Sequence, residues 1–229
     1  MGHFVPWGAG SFDLTITSII LAGGRSSRLG REKLAEVIAG KSLIERAISR
    51  LSALSQEILI VISQKQARSS LPSYTYPEAK TVVDLYPGKG SLIGIYTGLT
   101  HSTNFLNLVV ACDMPFLNLN LLRYMVNIAP GFDVVIPRIG DQMEPLHAVY
   151  SKNCMGPMEN LIKQGNLKIT GFLDSVKVRY VEEEELDRFD PERLSFFNIN
   201  TEADLERARI LAAQETAQRN RANQGEIRK

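Results

Sequence analysis

The sequence predicts an α/β fold in which helices cover a mostly parallel sheet, and three observations point to it. Short β-branched runs alternate with helical patterns through most of the chain, which is the signature of βαβ units. The chain has 229 residues, 44% hydrophobic and 22% charged. A domain of that length buries roughly 70% of the surface its unfolded form exposes, so its core suffices without a staple. The two cysteines, Cys112 and Cys154, can build neither a disulfide framework nor a paired zinc site, and they suit a reducing cytoplasm. The composition excludes disorder and collagen-like repeats.

In chain order, residues 1–13 read as a flexible arm, because Met1 to Phe12 has neither a basic n-region nor a long apolar core. Leu14 to Leu21 (LTITSIIL) is the first strand and ends in the glycine-containing basic loop Ala22 to Lys33. Ser42 caps a helix, with Glu45 completing a capping box and Leu43, Ile44, Ala47, Ile48 and Leu51 forming its apolar stripe. Strands follow at Ile58 to Ile62 and Thr81 to Val83, then a helix from Ser91 to Leu99 and a strand from Leu106 to Ala111 running into Asp113. Pro115 closes that strand because proline cannot donate to a ladder.

Asn118 to Ala129 reads as helix and Asp133 to Ile136 as strand. The pattern is then less regular, with strands at Pro145 to Tyr150 and Val176 to Val181 and helices at Met158 to Gln164 and Ile169 to Leu173. Glu182 to Glu185 reads as a solvated acidic face. Thr201 caps a last helix with Asp204 at the capping-box position, and residues 214–229, where apolar periodicity fades, read as a frayed or disordered tail.

A formal net charge of +1 argues against a polyanionic partner, so no nucleic acid is expected. The longest apolar run, around Ile19 to Ala22, is far short of the ~20 residues of a membrane span, so a soluble chain with no membrane partner is expected. No histidine pair has metal-ligand spacing, and no serine sits in GxSxG.

Ligands of open parallel sheets sit beyond the carboxyl ends of the strands, which draws attention to Ala22-Gly-Gly-Arg-Ser-Ser-Arg-Leu-Gly-Arg-Glu-Lys33. It carries four basic residues, Arg25, Arg28, Arg31 and Lys33, against one acid, Glu32. Its glycines allow consecutive N–H groups to line a concavity for phosphate oxygens. The loop is neither a P-loop, which would need glycine at Ala35, nor a GxGxxG fingerprint. A glycine-rich turn with solvated arginines is the plain alternative.

LAGGRSSRLGREK resembles the signature LAGGxSxRMGxDK of the nucleotidyltransferases related to molybdenum cofactor guanylyltransferase. The similarity continues through VVDLYPGKGSLIGIYTGL, ACDMPFL, EPLHAVYS and FFNINTEADL, with Leu29 in place of Met and Glu32 in place of Asp. Ile62 stands where some relatives have a polar residue on the base. The resemblance implies a Rossmann-like three-layer fold of the nucleotide-diphospho-sugar transferase type. It implies one domain over 14–213, with a nucleotide-binding half at about 14–115 and an acceptor-binding half at about 116–213.

The activity it implies is transfer of GMP from GTP to the terminal phosphate of molybdopterin, with release of pyrophosphate. GTP and molybdopterin are then the substrates, molybdoenzymes or their chaperones the recipients, and a monomer the working unit. Leu21, Ala22, Gly23, Gly24, Arg25, Lys33, Asp84 and Asp113 would bind the nucleotide. Lys33, Arg28 and Asp113 would be catalytic, and Asn198 and Asn200 would bind the acceptor.

The residues themselves allow these roles. Asp113 leaves an apolar strand at its carboxyl end, and a carboxylate beside a triphosphate suits Mg²⁺; a turn-forming role is the alternative. Asp84 suits the N1–H and N2–H₂ of guanine or a ribose hydroxyl, and equally the turn ahead of Pro87-Gly88. Gly88, Gly90 and Gly94 would let backbone approach a ligand, and Ser91 would cap the following helix. Alternation in Phe197-Asn198-Ile199-Asn200 puts both asparagines on one face, or Asn200 and Thr201 form only a helix cap.

Competing readings are a cytidylyltransferase of the same fold and a non-catalytic carrier of nucleotide or cofactor. Relatives handling cytidine tend to show LAAG in place of Leu21 to Gly24. Sugar-1-phosphate nucleotidylyltransferases place about ten residues between loop arginine and lysine, whereas Arg28 and Lys33 are five apart. Retention of both Lys33 and Asp113 speaks against a carrier.

Overall fold

The computed structural model of the protein describes residues 14–23, 36–68, 79–86 and 90–226, with side chains as far as Glu215. The arm at 1–13 and the loop positions Gly24, Arg25, Arg28 and Lys33 lie outside the described residues. In chain order the elements are β1 (Ile16–Leu21), β2 (Val37–Ile38), β3 (Lys41–Ser42), α1 (Leu43–Leu51), β4 (Glu57–Ile62), α2 (Gln64–Arg68), β5 (Ala79–Val83) and α3 (Ser91–His101). There follow β6 (Leu106–Ala111), α4 (Leu119–Asn127), β7 (Val134–Ile139), β8 (Gln142–Met143), β9 (His147–Ser151), α5 (Met155–Lys163), β10 (Val178–Val181), α6 (Glu183–Leu186) and α7 (Glu202–Glu226).

One sheet has the order β10-β7-β9-β6-β1-β4-β5, with β8 added to β7. β5, β4, β1 and β6 pair in parallel, as do β10 and β7, while β9 runs against both neighbours. The central strands are buried without alternation, Thr17, Ser18 and Asn107 included, because both faces of the sheet are covered. Ile16, Ile20, Ile60 and Val110 join the core under α1, α4 and α7, whereas Ile19, Leu59, Val61 and Val109 pack under α3 and α5. The three-layer α/β expectation is met.

Hydrogen bonds spanning a few residues set three of the helix starts. Ser42 and Glu45 form the capping box of α1, with the Glu45 carboxylate accepting from the Ser42 N–H at 2.6 Å. Asn118 caps α4 through the N–H groups of Asn120 and Leu121. Asp204 accepts from the Thr201 N–H at 2.8 Å and Thr201 Oγ1 accepts from the Asp204 N–H at 3.1 Å.

Several expectations are corrected. β1 begins at Ile16 rather than Leu14, and α5 begins three residues early, at Met155. Ile169 to Ser175 is a 3₁₀ turn rather than an α-helix. Gly90, at φ +85°, is the N-cap of α3 and Ser91 is its first residue, so the serine is no cap. Gly94 serves packing: a Cβ there would lie 3.2 Å from Leu21 Cδ2.

The acidic run is only in part a solvated face. Glu182 and Glu185 form the capping box of α6, Glu182 holds Arg138 at 2.6 Å, and Glu185 holds Arg179 at 2.5 Å and the Tyr124 hydroxyl. The expected tail is helical to Glu226, and Glu215 fastens it to Arg46 and Arg50 of α1.

Candidate active site

The chain steps from β1 to β4 to β5 in one direction and then returns to place β6 on the other side of β1. That reversal is a topological switch point, where open α/β sheets bind ligands beyond the strands' carboxyl ends. Backbone bonds extend each strand past its end there. The Ala22 N–H donates to Val61 O at 2.9 Å, Cys112 N–H to Leu21 O at 3.1 Å, and Asp84 N–H to Ile62 O at 2.8 Å. Leu21, Ala22, Gly23, Asp84 and Asp113 therefore share one edge of the sheet. Gly23 approaches β4 so closely that a Cβ would come within 3.1 Å of the Ser63 nitrogen.

Asp113 is half-buried, and its carbonyl accepts the Ile199 N–H at 3.0 Å. This bond brings Asn198 and Asn200 to the same edge. Asn198 Nδ2 donates to Phe196 O at 3.1 Å, and the Asn200 N–H donates to Asp204 Oδ2 at 3.0 Å. The cap reading of Asn200 thus describes its backbone.

Asp84 Oδ1 accepts the Tyr86 N–H and the Thr97 hydroxyl, each at 3.3 Å. Burial pushes its carboxyl above the usual range and outweighs the opposing effect of those two bonds. Ile62 is buried in the core, so it offers the edge no polar contact.

Two residues at this edge, Gln66 and Glu144, escaped the sequence reading. Gln66 exchanges bonds with Ser63, accepting its N–H at 2.9 Å, and its Nε2 donates to Ala22 O at 2.9 Å. The Ser-x-x-Gln spacing was the available signal. Glu144 is half-buried where the chain enters β9, and burial raises its carboxyl. His147 of β9 is fully buried beside Phe196, 4.9 Å between rings, and burial pushes it down to about 3. Burial thus holds its imidazole neutral.

Among the described residues no three His, Cys, Asp or Glu side chains gather into a metal cage. Magnesium shared with a triphosphate calls for one or two carboxylates, phosphate oxygens and water, so the single carboxylate of Asp113 at the switch point fits it. No described helix is long and apolar enough to cross a membrane.

Residues 18–178 match the family model of the MobA-like NTP transferase domain. A protein of Pelotomaculum thermopropionicum named "Probable molybdenum cofactor guanylyltransferase" is 38% identical over 201 residues, covering 87% of this chain and 94% of that one. The molybdenum cofactor guanylyltransferase of Desulfosudis oleivorans is 35% identical over 195 residues, covering 84% and 94%. The crystal structure of molybdopterin-guanine dinucleotide biosynthesis protein A from Archaeoglobus fulgidus superposes with a TM-score of 0.75 at 34% identity, covering 86% of this chain and 99% of that one. A 2-C-methyl-D-erythritol 4-phosphate cytidylyltransferase from Thermus thermophilus, at 16% identity and a TM-score of 0.65, shares the fold. With its switch-point edge and a family match over most of its length, the chain belongs to the MobA-like NTP transferase domain family.

Proposed function

We propose that the protein transfers GMP from GTP to the terminal phosphate of molybdopterin, releasing pyrophosphate and forming the guanine dinucleotide form of the molybdenum cofactor. The observation that supports it most is the meeting at one sheet edge of Asp84 and Asp113 with the Asn198–Asn200 segment, in a chain whose relatives carry that name. A reducing cytoplasm suits its two free, buried cysteines.

The nucleophile is a phosphate monoester with a second pKa of about 6, already largely dianionic at pH 7, so the reaction needs no general base. An acceptor phosphate oxygen forms a bond to the α-phosphorus of GTP while the bond from that phosphorus to the departing pyrophosphate breaks. Repulsion between the anions is the obstacle, about 4 kcal/mol per charge pair at 4 Å with an effective dielectric of 20. Lys33 and Arg28 stabilise the charge on the α-phosphate and the pyrophosphate. Asp113 would hold Mg²⁺, which when bound supplies further charge cancellation on the phosphate oxygens. Asp84 holds the nucleotide, and Asn198 and Asn200 orient the acceptor.

Pyrophosphate release measured with molybdopterin and GTP, CTP, ATP or UTP tests this reading. GTP is the expected substrate, with Asp113→Ala and Lys33→Ala each about a hundredfold or more slower while folded. A preference for CTP, or wild-type rates in both variants, overturns it.

A further inference from the structure

Two threonines three residues apart on α3 use their hydroxyls in opposite ways. Thr100 Oγ1 donates to Tyr96 O at 2.8 Å, the back-bond to the preceding turn that threonine commonly makes inside a helix. Thr97 is fully buried, and its hydroxyl leaves the helix: it donates to Asp84 Oδ1 at 3.3 Å and accepts the Leu85 N–H at 3.2 Å. Its own carbonyl is taken by His101 Nδ1 at 2.9 Å. The Tyr86 N–H also reaches Asp84 Oδ1 at 3.3 Å. Both lone pairs of that oxygen are therefore used inside the protein.

α3 can bring Thr97 to this position because it lies tight on the sheet. A Cβ at Gly98, the next residue, would come within 2.5 Å of Ile19 Cγ2, and one at Gly94 within 3.2 Å of Leu21 Cδ2. The helix that covers β1 thus carries the hydroxyl to the end of β5, two strands away.

We propose that Thr97 is a positioning residue for nucleotide binding: by engaging Oδ1 it fixes the rotation of the Asp84 carboxylate and leaves Oδ2 as the oxygen for the nucleotide. The inference deepens the guanylyltransferase reading and rests on it, since it takes Asp84 as a nucleotide contact. Without the Thr97 hydroxyl only the Tyr86 N–H restrains the carboxylate, which also loses a bond that favours its charged form, so it meets a donor of the nucleotide less often in the productive orientation.

GTP affinity measured by calorimetry, alongside KM and kcat, tests this with Thr97→Val, Thr97→Ser, Thr100→Val, Asp84→Ala and the Thr97→Val/Asp84→Ala double variant. Thr97→Val should weaken GTP binding by about five- to tenfold with kcat within about twofold, because one hydrogen bond to a charged group is lost. Thr97→Ser, which keeps the hydroxyl, should bind as the wild type does, and Thr100→Val likewise. In the Asp84→Ala background, Thr97→Val should add nothing.

Full affinity in a folded Thr97→Val, or an undiminished effect of it when Asp84 is absent, overturns the inference while leaving Asp84 as a contact. Unchanged affinity in Asp84→Ala overturns the nucleotide role of Asp84 and the inference with it. Should Thr97→Val fail to fold, Thr97→Ala enters the same cycle and Thr97→Ser still decides whether the hydroxyl matters.

Discussion

The backbone N–H of Ile199 donates to the carbonyl of Asp113 at 3.0 Å, joining the segment before α7 to the carboxyl end of β6. One backbone hydrogen bond therefore links the proposed metal-holding aspartate to the proposed acceptor asparagines. Displacing either segment displaces the other, so substitutions there are informative only when they leave the main chain in place.

Asn198→Ala meets that condition, because among the described residues the bond of its side chain is local, to Phe196 O at 3.1 Å. The KM for molybdopterin should rise about tenfold, the loss of roughly one good hydrogen bond, while the KM for GTP stays within about twofold. Steady-state kinetics with each substrate varied in turn check this, and equal rises in both would remove the acceptor assignment.

Gly98→Ala should destabilise the protein by about 1–3 kcal/mol, since the new methyl would lie 2.5 Å from Ile19 Cγ2 and 2.8 Å from Ile19 Cδ1 in a closely packed core. Gly94→Ala meets Leu21 Cδ2 at 3.2 Å and should cost less, because the leucine end can shift by a few tenths of an ångström. Urea unfolding of both variants gives the order, and equal stability would contradict the close approach of α3 to β1.

His147 imposes an acid sensitivity of known sign. Burial holds its folded-state value at about 3, below the ordinary 6.5, so the unfolded chain binds the proton first. The stability is complete above pH 6.5 and is lost as the pH falls toward 3, by roughly 2 kcal/mol at pH 5. His147→Phe removes the titration beside the Phe196 ring, so its unfolding free energy should fall less than the wild type's between pH 7 and pH 5. Parallel slopes would exclude a buried neutral imidazole.

Glu215 bridges Arg46 at 3.2 Å and also pairs with Arg50, while Arg46 reaches Pro115 O at 3.3 Å and Arg50 reaches Leu117 O at 3.2 Å. Burial raises the Glu215 carboxyl, but the two guanidiniums more than offset this and hold it below its usual value. Its contribution is present above pH 4.5 and declines as the pH falls. Glu215→Ala should cost about 1–2 kcal/mol at pH 7 by leaving two partly buried arginines short of a partner, lowering Tm by several degrees. Calorimetry checks this, and an unchanged Tm would mean that the C-terminal helix is not held through this residue.

The sequence by itself determined the apolar runs of β1, β4 and β6, the caps at Ser42 and Thr201, and the placing of Asp84 and Asp113 at strand ends. Each of these rests on periodicity or on hydrogen bonds spanning a few residues, so local order is enough to encode it. Only the tertiary structure decided that β9 runs against its neighbours, that Ile199 meets Asp113, that Thr97 turns its hydroxyl to Asp84, and that Glu215 pairs with Arg46, 169 residues away. The physical reason is range. Strand order and helix packing place distant segments side by side, and the apolar contacts that enforce this are non-directional, so no short pattern records which polar groups will meet.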